Sequence, residues 1–307
     1  MTKAAIQAKA GQLTIIDAKA KAERVFDLID AKEATRSDYK ARIGEFLTFI
    51  KDRGLNRESF LSFKRELAGK PNLSVSTKNK YLTTARVFLK ELNRQGALPA
   101  DITQNVKTFT QDKKHKKDGL TDAEITTLTD KVSRLDLTAT NTRLKAVLSL
   151  LALQGLRQIE VIRLDVKDID FISKTALILG KGRDDKEPID LQPETLKAIK
   201  DYLRVNRIAD GALFVSKSNN SKNKRLTTRA IRDIVKQTLK ELAINKTTHG
   251  FRHYFTTKLI KAYKGDLLEV SRYTRHKSLE MLQVYNDQIK SKADLPRFYE
   301  TFKEVSF

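Results

Sequence analysis

The chain has 307 residues, enough for two domains and a sizeable core. It has no cysteine, no apolar run long enough for a membrane helix, and no signal-like apolar segment after Met1-Thr2-Lys3-Ala4-Ala5; disulfides, thiolate catalysis and most structural zinc sites are excluded, and a cytoplasmic protein without a membrane partner is expected. Net charge is +22, with 25 basic and 14 acidic residues in 1–120 and 35 and 24 in 121–307, so that each part carries +11 and a polyanion facing both is expected.

Residues 1–34 read as an Ala/Lys-rich helical lead. Ser37 offers an N-cap, and Tyr39, Ile43, Phe46, Leu47 and Ile50 fall on one helical face that Gly54 ends. Phe60, Phe63 and Leu67 mark a second helix, stopped by Gly69 and Pro71. Ser76 opens a third, with Tyr81, Leu82, Ala85, Phe88 and Leu89 on one face and Gly96 closing it. Residues 35–110 therefore resemble a small helical bundle. Segment 111–119 is charged and free of apolar side chains, a linker composition. Its Lys113, Lys114, Lys116 and Lys117 are also placed to lie along a DNA backbone.

Leu120-Thr121-Asp122-Ala123-Glu124 reads as a capped helix start, opening a second domain over 120–293. Residues 146–153 form a strongly apolar helix ending near Gly155. Strands are expected at 166–171, 175–179 and 188–191, the last two joined by a turn over 180–185. Later segments read as helices: 194–208, 227–242, 248–262, 266–273, 278–288 and 295–305. In the tail, 294–307, Pro296 suits a first helical turn, and Leu295, Phe298, Tyr299, Phe302 and Val305 make one apolar stripe. That stripe packs either on its own domain or on a neighbouring protomer. The expected fold is mainly α with a small β-sheet: a helical domain, then a mixed α/β domain.

Six polar residues stand in order across the second part: Arg157, Lys181, His249, Arg252, His276 and Tyr285. Two arginines, a lysine and two histidines suit a phosphodiester that must be held and neutralised, and a tyrosine suits a nucleophile. The planar fork of Arg157 can hold two nonbridging oxygens; the plainer reading is a surface arginine paired with Glu160. Lys181 lies between Gly180 and Gly182, which let a loop approach a backbone closely, and Lys186 in the same loop competes with it. No Gly-x-x-x-x-Gly-Lys-Ser/Thr pattern exists, so this turn is not a nucleotide P-loop. His249 and Arg252 are three apart on a helix and share a face. An imidazole titrates near neutrality and suits proton transfer; metal binding is the rival, but the chain has four histidines and no carboxylate at ligand spacing, so no metal is expected. His253 is expected to point elsewhere as a structural residue. Tyr285 is singled out by standing nine residues after His276, with Tyr273 and Tyr299 as competitors.

Taken together, Gln154-Gly155-Leu156-Arg157-Gln158-Ile159-Glu160, the Gly180-Lys181-Gly182 turn, His249-Gly250-Phe251-Arg252-His253, and His276 with Tyr285 resemble the tyrosine site-specific recombinase (phage integrase) family. The likeness covers 120–290 well, and 35–110 is similar to that family's helical core-binding domain. It implies a catalytic set of Arg157, Lys181, His249, Arg252, His276 and Tyr285, supported by Glu160. Lys181 would be the general acid toward the leaving 5′ oxygen, and Arg183 in its turn would contact DNA. It implies double-stranded DNA as partner, no metal or cofactor, a homo-tetramer assembled on DNA from protomers that are monomeric or weakly associated in solution, strand exchange through a Holliday junction, and accessory DNA-bending factors in some systems. A short region before the core-binding domain favours an Xer-like or Cre-like layout. The wording departs from the family at Gln154, where Thr is common, at Phe251, where Leu is common, and at Thr274-Arg275, where Leu-Gly usually precedes the histidine. A type IB topoisomerase-like enzyme and a non-catalytic DNA-binding protein of the same fold are the alternatives.

Overall fold

Aromatic side chains repeating at helical spacing organise the first part of the molecule. A computed structural model describes residues 15–112, 118–217, 223–276, 278–301 and 303–304. They fall into two compact units, divided after Asp112.

In the first unit, helices α1 (Ile15–Asp27), α2 (Glu33–Ile50), α3 (Arg57–Ala68) and α4 (Val75–Arg94) share one core. Val25 and Phe26 meet Ile43, Phe46 and Leu47 of α2, Phe60, Phe63 and Leu67 of α3, and Leu82, Phe88 and Leu89 of α4. Phe46 and Phe63 pack edge to face with ring centroids 5.0 Å apart, the geometry favoured by the ring quadrupole. Two helix starts differ from the sequence reading. The helix expected to be capped at Ser37 begins at Glu33, because 33–36 holds no breaker and an acidic first residue suits the helix dipole. The helix expected from Ser76 begins at Val75, since the extended Ser74 accepts from the Thr77 N–H and is the cap.

The second unit opens as the Thr121–Glu124 pattern requires: Thr121 accepts from the Glu124 N–H, and Glu124 accepts from the Thr121 N–H, at the start of α5 (Asp122–Ser133). Helix α6 (Ala139–Ala152) buries Ala146, Val147, Leu150 and Leu151 in the central core, to which α8 (Pro193–Asn206) adds Ile199 and Tyr202. Between them come the short α7 (Gln158–Arg163) and an antiparallel sheet of order β1 (Ile169–Asp170), β2 (Thr175–Leu179), β3 (Lys186–Asp190). Residues 166–168, read as strand, form a 3-10 turn. Strand β3 starts two residues earlier than expected and places Pro188 opposite Leu177; as an edge strand it tolerates the missing N–H.

Helices α9 (Thr228–Glu241), α10 (Thr248–Ala262), α11 (Leu267–Thr274) and α12 (Leu279–Thr301) complete the unit. Where two helices are expected, at 278–288 and 295–305, α12 runs unbroken to Thr301, with Pro296 inside it rather than at a new start. Residues 291–301 are exposed throughout, so the carbonyl that Pro296 leaves unbonded is solvated and the helix continues. Leu295, Phe298 and Tyr299 are exposed on this segment; Phe302 and Val305 lie outside the described residues. Among the described residues no helix is long and apolar enough to cross a membrane.

Candidate active site

Arg157 precedes α7 in extended backbone, directly after the turn made by Gly155. Gly155 has φ +59, and a Cβ on it would sit 2.2 Å from Cδ1 of Phe255, so glycine is needed on both counts. Glu160, one turn into α7, accepts from the Arg157 backbone N–H at 2.8 Å and from its Nη1 at 2.7 Å. One carboxylate thus caps the helix and orients the guanidinium. The paired-arginine reading of Arg157 is therefore part of the geometry, yet its side chain keeps a third of its surface open. Glu160 itself is buried. Burial pushes its carboxyl up, but Arg275 and Arg157 outweigh that and hold it below the usual carboxylate range.

Arg252 projects from α10 and is buried. Its Nη1 donates to the Gly155 carbonyl at 2.7 Å, and its Nη2 donates to the Thr274 carbonyl. The guanidinium therefore joins the turn before Arg157 to the turn before His276. Burial, and then repulsion from Arg157 and Arg275, pushes Arg252 down to about 10; it is still charged at neutral pH. Two of its five N–H donors serve these carbonyls, which leaves others for an anion.

Tyr285 lies on the buried side of α12. Its ring is 5.1 Å from that of His253 and 6.2 Å from that of His276. His249 in turn meets His253 edge to face at 4.6 Å. His276 is oriented by a hydrogen bond between Nδ1 and the Thr274 hydroxyl, 2.8 Å long. Burial pushes the Tyr285 hydroxyl up to about 12, against the pull of Arg252 and Arg157. The resting side chain is a neutral phenol with imidazoles beside it. The competing tyrosines lie elsewhere: Tyr273 is partly exposed against Tyr263, and Tyr299 is exposed on the last turns of α12.

His253 does not point away, as the sequence reading had it: it stands between His249 and Tyr285. The signal was available, since His249 and His253 are four apart and so share a helix face. Arg275 was also missed. It stands where the sequence departs from the family wording, and it ion-pairs with Glu160 at 3.1 Å.

Lys181 is exposed in the turn between β2 and β3. Among the described residues no hydrogen bond or ion pair joins it to the arginine–histidine cluster. Its competitor Lys186 is held by the buried carboxylate of Asp168 at 2.5 Å, in a group that also contains Asp165 and Arg225. Arg183 is half exposed, 3.8 Å from Glu187. The four linker lysines, Lys113, Lys114, Lys116 and Lys117, lie outside the described residues. Among the described residues no three His, Asp or Glu side chains gather as a metal site.

The site thus gathers buried and half-buried cations, three imidazoles and a phenol, and it lies within the segment that a family model matches. Residues 119–292 match the model of the phage integrase family. The chain is similar to the tyrosine recombinase XerC of Herpetosiphon aurantiacus, 27% identical over 267 residues, covering 82% of this chain and 83% of that protein. It is 33% identical over 159 residues to the tyrosine recombinase XerA of Pyrococcus horikoshii, covering 51% and 54% respectively. Its fold is similar to that of the XerH site-specific recombinase in a post-cleavage complex with palindromic difH substrate, with a TM-score of 0.71 at 18% identity over 91% of this chain and 84% of that one. A lambda integrase dimer bound to a COC′ core site gives 0.68 at 12% identity, over 92% and 79%.

Proposed function

The chain belongs to the phage integrase family of tyrosine recombinases, and from that premise we propose that it is a site-specific DNA recombinase that cleaves and rejoins strands through a 3′-phosphotyrosine at Tyr285. The observation that carries this reading is the setting of Tyr285: a buried phenol against His253 and His276, with the charges of Arg252 and Arg157 acting on its oxygen.

Arg157 and Arg252 hold the nonbridging oxygens of the scissile phosphate and offset the charge that grows on the pentacoordinate phosphorus. His276 donates to the same phosphate. The Tyr285 oxygen attacks phosphorus, and its proton passes toward the imidazole cluster, with His249 assisting. The bond to the 5′ oxygen breaks, and Lys181 supplies the proton that this oxygen needs. The phosphotyrosine conserves the energy of the phosphodiester, so ligation is the reverse attack by a 5′ hydroxyl and uses no metal ion or nucleotide. Catalysis is then positioning and charge neutralisation.

Two strand exchanges in a tetramer, by way of a Holliday junction, would complete recombination. The exposed stripe of Leu295, Phe298 and Tyr299 is the surface we assign to contact with a neighbouring protomer. Lys113, Lys114, Lys116, Lys117 and Arg183 would contact the DNA backbone, and DNA-bending accessory proteins would assist where sites are distant.

The test uses full-length protein and supercoiled plasmid carrying the DNA that flanks its own coding sequence. After denaturation, wild-type protein should leave a covalent protein–DNA species that Tyr285→Phe does not. No adduct from wild-type protein would sink the reading in favour of a non-catalytic binder. Relaxation by a monomer without strand exchange would favour a topoisomerase.

A further inference from the structure

Arg275 occupies a position where an arginine is out of place on backbone grounds. It is the C-cap of α11 with φ +55, a left-handed conformation that suits glycine and is costly for a residue with a Cβ. Its long side chain nevertheless turns inward and is only 7% exposed. There Nη2 donates to Glu160 Oε2 at 3.1 Å, the other carboxylate oxygen from the one that receives the Arg157 guanidinium. Its Nε lies 3.6 Å from Oε1 of Glu187.

Glu187 connects this arginine to a distant loop. It is the second residue of β3, paired with Ile178 across the hairpin whose turn carries Lys181. Its carboxylate lies over the turn: a Cβ on Gly180 would stand 3.6 Å from Glu187 Oε1, and Arg183 is 3.8 Å away. From the other side, Nη1 of Arg163 in α7 donates to the Gly180 carbonyl at 3.2 Å. The hairpin is thus braced twice, by α7 and by Arg275. The Arg275 Nε is buried and makes no hydrogen bond at this separation; a small inward movement of the hairpin would complete one to Glu187. We propose that Arg275 is a positioning residue: through Glu160 on one side and Glu187 on the other, it sets the Lys181 turn against the Arg157 phosphate clamp.

This proposal rests on the recombinase reading above, in which Lys181 protonates the leaving 5′ oxygen. It follows that losing Arg275 should damage the general-acid step more than DNA binding. Arg275→Gly is the informative variant, because glycine suits the left-handed backbone and leaves the turn unstrained. Glu187→Gln tests the other end without touching Arg275.

The probe is plasmid-derived duplex containing the scissile phosphate mapped from the wild-type adduct, made once with the normal 5′-bridging oxygen and once with sulfur there. A thiolate leaves without being protonated, so sulfur removes the need for a general acid. With oxygen, Arg275→Gly and Glu187→Gln should each slow adduct formation by roughly tenfold or more, as misplacement of a catalytic group does. Gel-shift affinity should stay within about twofold, since neither residue is a phosphate contact. On the sulfur substrate both variants, like Lys181→Ala, should recover to near the wild-type rate, and the double variant should be no slower than the worse single one. Arg275→Lys, which keeps the charge and loses the fork, should restore little on the oxygen substrate. An unchanged rate in Arg275→Gly overturns the proposal. So does a slow rate that sulfur does not restore, which would make Arg275 merely structural. Absence of a wild-type adduct on either substrate would instead remove the recombinase reading, and this proposal with it.

Discussion

Arg252 Nη1 donates to the carbonyl oxygen of Gly155 at 2.7 Å, across 97 residues of chain. The contact makes the guanidinium proposed to hold phosphate a structural tie as well, because the same group also bonds the Thr274 carbonyl. An ammonium at Arg252→Lys keeps the charge but cannot reproduce the fork. It should leave a buried carbonyl without a donor, at a cost of about 1–3 kcal/mol in urea unfolding. Cleavage should fall on the order of 10²-fold, as with loss of a main charge-stabilising donor. Near wild-type cleavage in both Arg252→Lys and Arg157→Lys would rule out a bidentate clamp.

The turn that presents Arg157 depends on Gly155. With φ +59 and Phe255 Cδ1 only 2.2 Å from an ideal Cβ, Gly155→Ala must both strain the backbone and displace an aromatic ring. The expected loss is about 2–4 kcal/mol of stability. Thermal unfolding checks it. A melting temperature equal to that of wild type would mean that the ring moves freely aside.

Tyr285 should make the fold sensitive to alkali. Its hydroxyl titrates near 12 in the folded chain, because burial disfavours the phenolate; in an unfolded chain a tyrosine titrates at about 10. Between those values the unfolded state has released a proton that the folded state retains. The stabilisation is therefore complete below about pH 10 and is lost as pH rises toward 12. In Tyr285→Phe the fall in stability over that window should be shallower, while covalent DNA capture vanishes and DNA affinity is nearly unchanged. Parallel stability–pH curves for the two proteins would show that the buried phenol does not govern this window.

Glu160 gives the opposite sign at acid pH. Burial raises its carboxyl, but Arg275 and Arg157 hold it below the usual range. Its contribution is present above the unfolded glutamate value of about 4.3 and is lost as pH falls through the lower folded value. Glu160→Gln should be less stable at neutral pH and should lose less on acidification. Urea midpoints at pH 7 and pH 3 for the two proteins decide it. A wild-type midpoint at pH 7 would show that Glu160 does not hold Arg157 and Arg275 in place.

Much of this architecture was legible because apolar residues recur at helical spacing: Phe60, Phe63 and Leu67 mark α3 without any tertiary knowledge. The Thr121–Glu124 capping box is likewise local and was readable. What could not be read depends on contacts between distant segments. The ion pair of Arg275 with Glu160 spans 115 residues, so Arg275 looked like an intruder in a turn and nothing near it in sequence says otherwise. Pro296 misled for a different reason. A proline at an exposed helix end breaks nothing that water cannot replace, so a start signal sits inside a continuous helix. His253 was an avoidable miss, since four-residue spacing from His249 already placed both on one face, and the starts of α2 at Glu33 and α4 at Val75 also had local signals.

Salt should expose the breadth of the DNA interface. With +11 on each part of the chain, displacement of counterions by at least four phosphate contacts gives a log–log slope of about −3.6 or steeper. Fluorescence anisotropy on duplex DNA across a salt series measures it. A slope shallower than about −3 would place the excess charge away from the DNA.

The end of α12 gives the last prediction. Leu295, Phe298 and Tyr299 are 39%, 54% and 65% exposed, so they contribute little to the fold of their own chain. If a second copy covers them during synapsis, replacing Phe298 and Tyr299 by serine should leave the unfolding midpoint nearly unchanged, as expected for surface substitutions. DNA binding by single protomers should also persist. Assembly of two DNA sites should fail, because the surface that would be buried between protomers has lost its large apolar groups. Tyr285 lies on the same helix, so loss of the contact should also slow its attack. That effect should be strong on synapsed sites and small on a single half-site. Native gels and half-site cleavage separate the two effects. If the double variant assembles and recombines like wild type, the stripe has no role between protomers; if it unfolds, the stripe belongs to its own core.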